Sequence, residues 1–211
     1  MKSKMKSGVY LIIDPSMDQD ILLNTLEEIV TEKIAAVQVW DNFLPGTDSL
    51  KLIDQVLRLC HRQSVPVLIN NQWELLKTID LDGVHFDTAP DNIVQLKQEI
   101  DQRMMMGITC NNDLSIVQWA DENGLDYISF CSMFPSSTAN SCELVTFDTV
   151  RKAKEITDIP IFLAGGINPG NLHSLSSLSY SGIAVVSGIM NAADPLAELK
   201  KYQKTIEETK K

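Results

Sequence analysis

The stretch Pro160-Ile161-Phe162-Leu163-Ala164-Gly165-Gly166-Ile167 indicates the fold of this chain. Its first five residues are almost entirely apolar, which suits a strand buried on both faces of a parallel sheet. Gly165 and Gly166 then allow a tight backbone turn at the carboxyl end of that strand. A second run of this kind, Gly182–Val186, is followed by Ser187-Gly188-Ile189. The two segments therefore predict parallel strands that each end in a turn of small residues.

Six similar apolar runs precede these two, and each of the eight is followed by a stretch with helical spacing. The predicted strands are Val9–Ile13, Ala35–Trp40, Pro66–Ile69, Gly83–Phe86, Met105–Thr109, Tyr127–Cys131, Pro160–Ala164 and Gly182–Val186. The predicted helices are Asp18–Lys33, Ser49–Gln63, Glu74–Ile79, Asp91–Ile100, Asn112–Glu122, Thr146–Thr157, Asn171–Leu178 and Pro195–Thr209. Asp48 or Ser49 is predicted to cap the second helix, Asn112 the fifth and Asp194 the last. Eight such units without a break in composition predict a single (β/α)8 TIM barrel spanning residues 1–211.

An open, doubly wound sheet is the alternative fold. Such a sheet would rarely need eight parallel strands. No GxGxxG motif follows the first predicted strand, which weakens a dinucleotide-binding interpretation.

The composition restricts the classes of partner. The 211 residues are 44% hydrophobic and 22% charged, and the formal net charge is −10. An acidic surface repels nucleic acid and anionic lipid, so neither nucleic acid nor a membrane is an expected partner. There is no run of 18 apolar residues, and the four cysteines show no CxxC pair or metal spacing. We therefore expect a cytoplasmic protein with free thiols, and homo-oligomer formation stays open.

The turns after the last two predicted strands favour a phosphate-binding site. Glycines let backbone N–H groups approach an anion, and a short helix from Gly188 or Ile189 would direct its positive end to the same point. The segment Phe134–Thr138 adds three hydroxyls beyond the sixth strand. Glycines can also serve only to close turns. Their occurrence after strands seven and eight, where barrels commonly bind phosphate, favours a ligand role.

Several segments together resemble the thiamine phosphate synthase superfamily, which includes the thiazole tautomerases. No single motif is decisive, but the set extends over nearly the whole chain in the order and spacing of the family. The segments are Val37–Asp41, Leu68–Asn71, Asp82–Phe86, Met106–Thr109, Asp126–Ile128, Phe134–Thr138, Ala164–Asn168, Val185–Ile189 and Ala193–Pro195. This family also has a small (β/α)8 barrel.

The resemblance implies a role in thiamine biosynthesis, in which synthases join a hydroxymethylpyrimidine pyrophosphate to a thiazole phosphate with Mg²⁺. By resemblance, Ser136 and Thr138 hold the thiazole phosphate through their hydroxyls. Gln38 and Asn70 match polar residues on the pyrimidine side. The residues that match the backbone cradle of the phosphate are Gly165, Gly166, Val186 and Ser187.

The pyrophosphate end departs from the family pattern. The family expects an arginine, a lysine, two metal-binding aspartates and a further lysine where this chain has Trp40, Asn42, Asn71, Pro90 and Ala139. Mg²⁺ needs hard oxygen ligands, and a pyrophosphate needs cations. We therefore assign no metal ligand and no cofactor, and expect the standard transferase activity to be largely lost. Asp87 or Asp91 would each offer one replacement carboxylate to a metal.

Two other functions stay open. A thiazole tautomerase-like isomerase moves a proton without metal, although its histidine position is Asn111 here. A non-catalytic binder of a small phosphorylated heterocycle is the other. The candidate catalytic residues are His85 and Thr109, the latter matching a serine of the family, although His85 also suits a packed position inside a barrel.

Overall fold

The computed structural model describes residues 5–101, 104–136 and 143–209. Eight parallel strands pair in chain order, and β8 pairs with β1 to close the barrel. The prediction of a (β/α)8 TIM barrel is thereby confirmed. The strands are β1 Gly8–Ile13, β2 Ala36–Val39, β3 Val67–Asn70, β4 Gly83–Phe86, β5 Met105–Thr109, β6 Tyr127–Cys131, β7 Ile161–Ala164 and β8 Gly182–Val185.

Seven α-helices occur in the described parts of the chain. They are α1 Gln19–Ile29, α2 Ser49–Arg62, α3 Ile93–Glu99, α4 Leu114–Glu122, α5 Phe147–Ile156, α6 Ser187–Met190 and α7 Pro195–Thr209. Two of the predicted helices are instead short 3₁₀ turns, Trp73–Lys77 and Leu172–Leu175. Neither turn has a side-chain cap. None of these α-helices is both long and apolar enough to cross a membrane.

The start of α4 corrects one predicted cap. Asp113, not Asn112, caps this helix and accepts a hydrogen bond from the Ser115 N–H at 2.8 Å. The Asn112 amide instead accepts from the Thr146 N–H at 3.1 Å and donates to the Leu144 carbonyl at 3.0 Å. Asn112 therefore ties the loop after β5 to the start of α5. The predicted caps Asp48 and Asp194 are confirmed.

Aromatic and apolar side chains fill the lower part of the barrel interior. Tyr10, Tyr127 and Phe162 contact one another edge to face, with ring centroids 5.6 to 5.7 Å apart. Met105 and Leu68 belong to the same buried cluster. All five come from the first half of their strands. The cluster closes the interior below and leaves the carboxyl ends of the strands to form a cavity.

Candidate functional site

A cavity of about 630 Å³ opens where the strands end, and residues from all eight strands line it. The predicted site residues that line it are Gln38, Asn70, His85, Thr109, Ser136, Gly165, Gly166, Val186 and Ser187. Thr138 lies outside the described residues. The barrel therefore brings nine of the ten predicted residues to one place, while their roles in binding or catalysis stay predictions.

The turn after β7 is packed tightly against the segment after β6. Gly165 and Gly166 have φ angles of 84° and 65°, which side chains other than glycine rarely adopt. A Cβ on Gly166 would lie 2.5 Å from the Pro135 carbonyl oxygen and 2.6 Å from that of Phe134. The Phe134 N–H also donates to the Gly165 carbonyl at 3.0 Å. Both conformation and space therefore require glycine at position 166.

The turns after β7 and β8 are joined by Tyr202 of α7. Its hydroxyl donates to the Ile167 carbonyl at 2.9 Å. A Cβ on Gly188 would collide with the same hydroxyl. Gly188 lies in α6, whose first-turn bonds run from Ile189 and Met190 to the Val186 carbonyl. Sequence reasoning did not single out Tyr202, because its spacing on α7 is that of an ordinary buried position.

Hydrogen bonds between side chains form one continuous series that runs from the opposite wall of the cavity through the buried interior of the barrel. We call this series the amide–hydroxyl chain: Asp87, Asn70, Gln38, Tyr10, Tyr127, His85, Thr109 and Ser129. Its separations include 3.0 Å from Asn70 Nδ2 to Asp87 Oδ2 and 2.7 Å from the Tyr10 hydroxyl to Gln38 Oε1. His85 lies 2.9 Å from the Tyr127 hydroxyl through Nδ1 and 2.9 Å from the Thr109 hydroxyl through Nε2.

Burial keeps the ring of His85 and its phenolic neighbours uncharged. Loss of solvation lowers the pKa of His85 from 6.5 to about 4, although the charge of Asp87 acts in the opposite direction. Loss of solvation also raises the pKa of the Tyr10 and Tyr127 hydroxyls above the ordinary value of 10.0. At neutral pH the amide–hydroxyl chain therefore contains a neutral imidazole between two hydroxyls, with one donor nitrogen and one acceptor nitrogen.

The residues near Asn71 do not fit the Mg²⁺ site that the family implies. The Asn71 Nδ2 amide group donates to Asp41 and to Asp87, at 2.9 Å in each case. Its carbonyl oxygen, the atom that a metal would use, accepts from the Asp87 backbone N–H at 3.0 Å. Within the described ranges, no group of three or more His, Cys, Asp or Glu side chains could hold a metal ion.

A second feature of the cavity is the charge of its described lining residues. Among the described residues that line it, there is no lysine or arginine, and Asp87 contributes a carboxylate. Trp40 lines the cavity where the resemblance expects a cation, and Asn111 lines it where the tautomerases have a histidine. Asn42 does not line the cavity, since its amide donates to the Asp14 carboxylate at 3.2 Å.

Fold and cavity together define a class: (β/α)8 barrels whose cavity lies between glycine turns and buried amides at the carboxyl ends of the strands. Within that class, the model of the thiamine monophosphate synthase family matches residues 9–189, and the chain belongs to this family. The resemblance inferred from the motifs is therefore confirmed.

Individual proteins agree with this assignment. The chain is 28% identical over 195 residues to the thiamine-phosphate synthase of Methylobacillus flagellatus, covering 92% of this chain and 93% of that protein. It is 28% identical over 196 residues to the thiamine-phosphate synthase of Clostridioides difficile, covering 92% of each. The solved thiamine phosphate pyrophosphorylase of Pyrococcus furiosus matches with a TM-score of 0.82 at 22% identity over 98% of both chains, which shows a shared fold.

Proposed function

We propose that this barrel binds a thiazole-phosphate-like phosphomonoester and has little Mg²⁺-dependent synthase activity. The observation that carries the proposal is the charge of the cavity, which has no lysine or arginine among its described lining residues and includes the carboxylate of Asp87. A cavity of this kind suits one phosphate bound by uncharged donors. It does not suit a pyrophosphate–Mg²⁺ complex.

The wall after β6, β7 and β8 is where we expect the phosphomonoester. Gly165, Gly166 and the first turn of α6 bring backbone close to the cavity, and backbone N–H groups at a helix start attract anions. Ser136 and Ser187 line the same wall with hydroxyls, which donate to phosphate oxygens. The wall requires no charged side chain to hold a single phosphate.

The opposite wall argues against the pyrophosphate. The Asp87 carboxylate would repel an anion that approached Asn70 and Asn71, to which it is hydrogen bonded. Removing one donor to a developing negative charge typically costs about 10²–10³ in rate. Five positions that would serve the pyrophosphate or its metal differ from the family pattern: Trp40, Asn42, Asn71, Pro90 and Ala139. We therefore expect coupling of the two substrates to be at least about 10³-fold slower than in a genuine synthase.

A metal-free isomerisation of a thiazole phosphate is the second candidate function. It is favoured by the pair of His85 and Thr109, 2.9 Å apart, which line the cavity and need no metal to exchange hydrogen bonds with a ring. Binding without catalysis is the remaining alternative. All three functions share the same phosphomonoester site.

A direct assay tests the proposal. The purified protein is supplied with hydroxymethylpyrimidine pyrophosphate, thiazole phosphate and Mg²⁺, beside the synthase of Methylobacillus flagellatus as a positive control. Turnover within about tenfold of the control would contradict the proposal, because a tenfold change corresponds to only about 1.4 kcal/mol.

Binding and isomerisation are measured separately. A thermal shift with thiazole phosphate, and a smaller one with inorganic phosphate, is expected from the phosphomonoester site. The absence of any shift at millimolar concentrations would reject that site. Incubation with a thiazole carboxylate phosphate, followed by NMR, then separates the isomerase from a protein that only binds.

A further inference from the structure

We propose that Asp87 is a positioning residue that sets the tautomer of His85 through the amide–hydroxyl chain. In this assignment His85 carries its proton on Nδ1 and presents an unprotonated Nε2 next to Thr109 at the cavity. The inference goes beyond the proposed function, because it concerns the resting protein and holds whichever ligand the cavity takes.

The amide–hydroxyl chain has a fixed donor-to-acceptor direction because it begins at a carboxylate. An ionised carboxylate only accepts hydrogen bonds, so the Asn70 side chain must turn its Nδ2 group toward Asp87. Asp87 itself is held by Asn71, which accepts from the Asp87 backbone N–H and donates to its carboxylate. The opposite orientation of Asn70 would place two oxygens 3.0 Å apart with no proton between them.

Each following residue then has one orientation left. The Asn70 Oδ1 atom faces Gln38 and accepts from its Nε2 group. Gln38 therefore turns its Oε1 atom toward Tyr10, whose hydroxyl donates to it at 2.7 Å. A hydroxyl has a single proton, so at its contact with Tyr127, 2.8 Å away, Tyr10 must accept.

The same reasoning reaches His85. The Tyr127 hydroxyl donates its one hydrogen to Tyr10, so it must accept from His85 Nδ1, which therefore carries hydrogen. In a neutral imidazole the other nitrogen, Nε2, is then an acceptor, and it accepts a hydrogen bond from the Thr109 hydroxyl. Thr109 in turn accepts from Ser129 at 3.1 Å, and this bond ends the chain.

Burial leaves water little access to the middle of the amide–hydroxyl chain. Tyr10, Gln38, Asn70, His85 and Tyr127 are all at most 5% exposed. Within the described residues, every buried side-chain nitrogen and oxygen has a hydrogen-bond partner. Reversal at one member would leave a buried donor facing a donor, or an acceptor facing an acceptor, which is costly. The orientation at Asp87 is therefore coupled to the proton position on His85, across the cavity.

Histidine ¹⁵N NMR at neutral pH tests the proposal. The wild-type protein is expected to show a pyrrole-type Nδ1 and a pyridine-type Nε2 for His85, assigned by the loss of these signals in His85→Gln. In Asp87→Asn the new amide can donate to Asn70, so the direction of the hydrogen bonds along the amide–hydroxyl chain can reverse. Both ¹⁵N shifts of His85 should then move toward the opposite tautomer.

Asp41→Asn is the matched control, because Asp41 also accepts from Asn71 at 2.9 Å but makes no hydrogen bond to Asn70 in the described structure. It removes one carboxylate from the same place and should leave the His85 shifts unchanged. Tyr10→Phe breaks the chain at its middle and should act like Asp87→Asn, since Tyr127 can then donate to Nδ1. Tyr10→Phe decides the question if Asp87→Asn does not fold.

Three results would overturn the proposal. One is a wild-type His85 protonated on Nε2. Another is an unchanged His85 pattern in folded Asp87→Asn and Tyr10→Phe. The third is an equal change in Asp41→Asn, which would show that the charge near Asn71 matters and the chain does not.

Discussion

The two walls of the cavity are held in place by different means. The turns after β7 and β8 depend on glycine, because Gly166 has a positive φ angle and carbonyl oxygens occupy the place of its Cβ. The wall formed by the ends of β2 to β5 depends on side-chain hydrogen bonds that begin at Asp87. The first wall should therefore be sensitive to one added carbon atom, and the second to one added or removed proton.

The largest expected effect breaks the first wall. We expect Gly166→Ala to lower the free energy of unfolding by about 4 kcal/mol, from a positive φ angle and a crowded Cβ together. We also expect it to abolish the thermal shift produced by thiazole phosphate. Urea unfolding and the thermal shift assay measure the two effects.

Gly124→Ala is the matched control for this variant. Gly124 has a φ angle of 58°, close to that of Gly166, but apart from its own chain neighbours no described residue has an atom within 4 Å of the position of its Cβ. Only the conformational cost, about 1–2 kcal/mol, should appear there. Equal losses in the two variants would show that crowding against Phe134 and Pro135 is not what requires glycine at position 166.

The next effect concerns the second wall and its response to pH. The pKa of His85 is lowered to about 4, so the unfolded chain takes up this proton first as the pH falls. Stability contributed by the neutral ring is thus present above the unfolded pKa of 6.5 and is lost as the pH falls toward about 4. The shift corresponds to about 3 kcal/mol of unfolding free energy.

Urea unfolding of the wild type and of His85→Gln across that pH window measures this term, since the carboxylates titrate in both proteins. The wild type should lose more stability than the variant on acidification. Parallel pH dependences would contradict the lowered pKa.

The smallest effect concerns the contacts of Tyr202 with the turns after β7 and β8. Gly188→Ala and Tyr202→Phe should each destabilise the fold, the first by a collision with the Tyr202 hydroxyl and the second by leaving the Ile167 carbonyl unpaired. The double variant should lose about 1–2 kcal/mol less than the sum of the two, because the colliding oxygen is gone. Simple additivity in a double-mutant cycle would show that Tyr202 does not restrict position 188.

The fold was predictable because buried parallel strands leave a strong local signal. The bounds of β4, β5 and β6 agree with the predicted runs, and the other strands differ by a residue at one or both ends. The 3₁₀ turns at Trp73–Lys77 and Leu172–Leu175 were predicted as helices, since apolar spacing alone does not show that a cap is missing.

The position of the site was predictable for a topological reason. The carboxyl ends of parallel strands meet at one end of a barrel, so residues that follow different strands converge there. The contacts that hold the site were not predictable. Tyr10 and Tyr127 are 117 positions apart, and Tyr202 and Ile167 are 35 apart, with no local pattern linking either pair.

The glycines beside the cavity have a consequence for how such a barrel changes over evolutionary time. Gly166 is required by the Phe134 and Pro135 carbonyls, and Gly188 is favoured by the Tyr202 hydroxyl, whether or not a phosphate is ever bound. Selection for a folded protein alone would preserve them after a ligand had been abandoned. No comparable steric contact has been found among the described residues to require serine at positions 136 and 187. In a lineage of these barrels that loses its ligand, we therefore expect the serines to be substituted first, while the glycines are kept as long as the fold is kept.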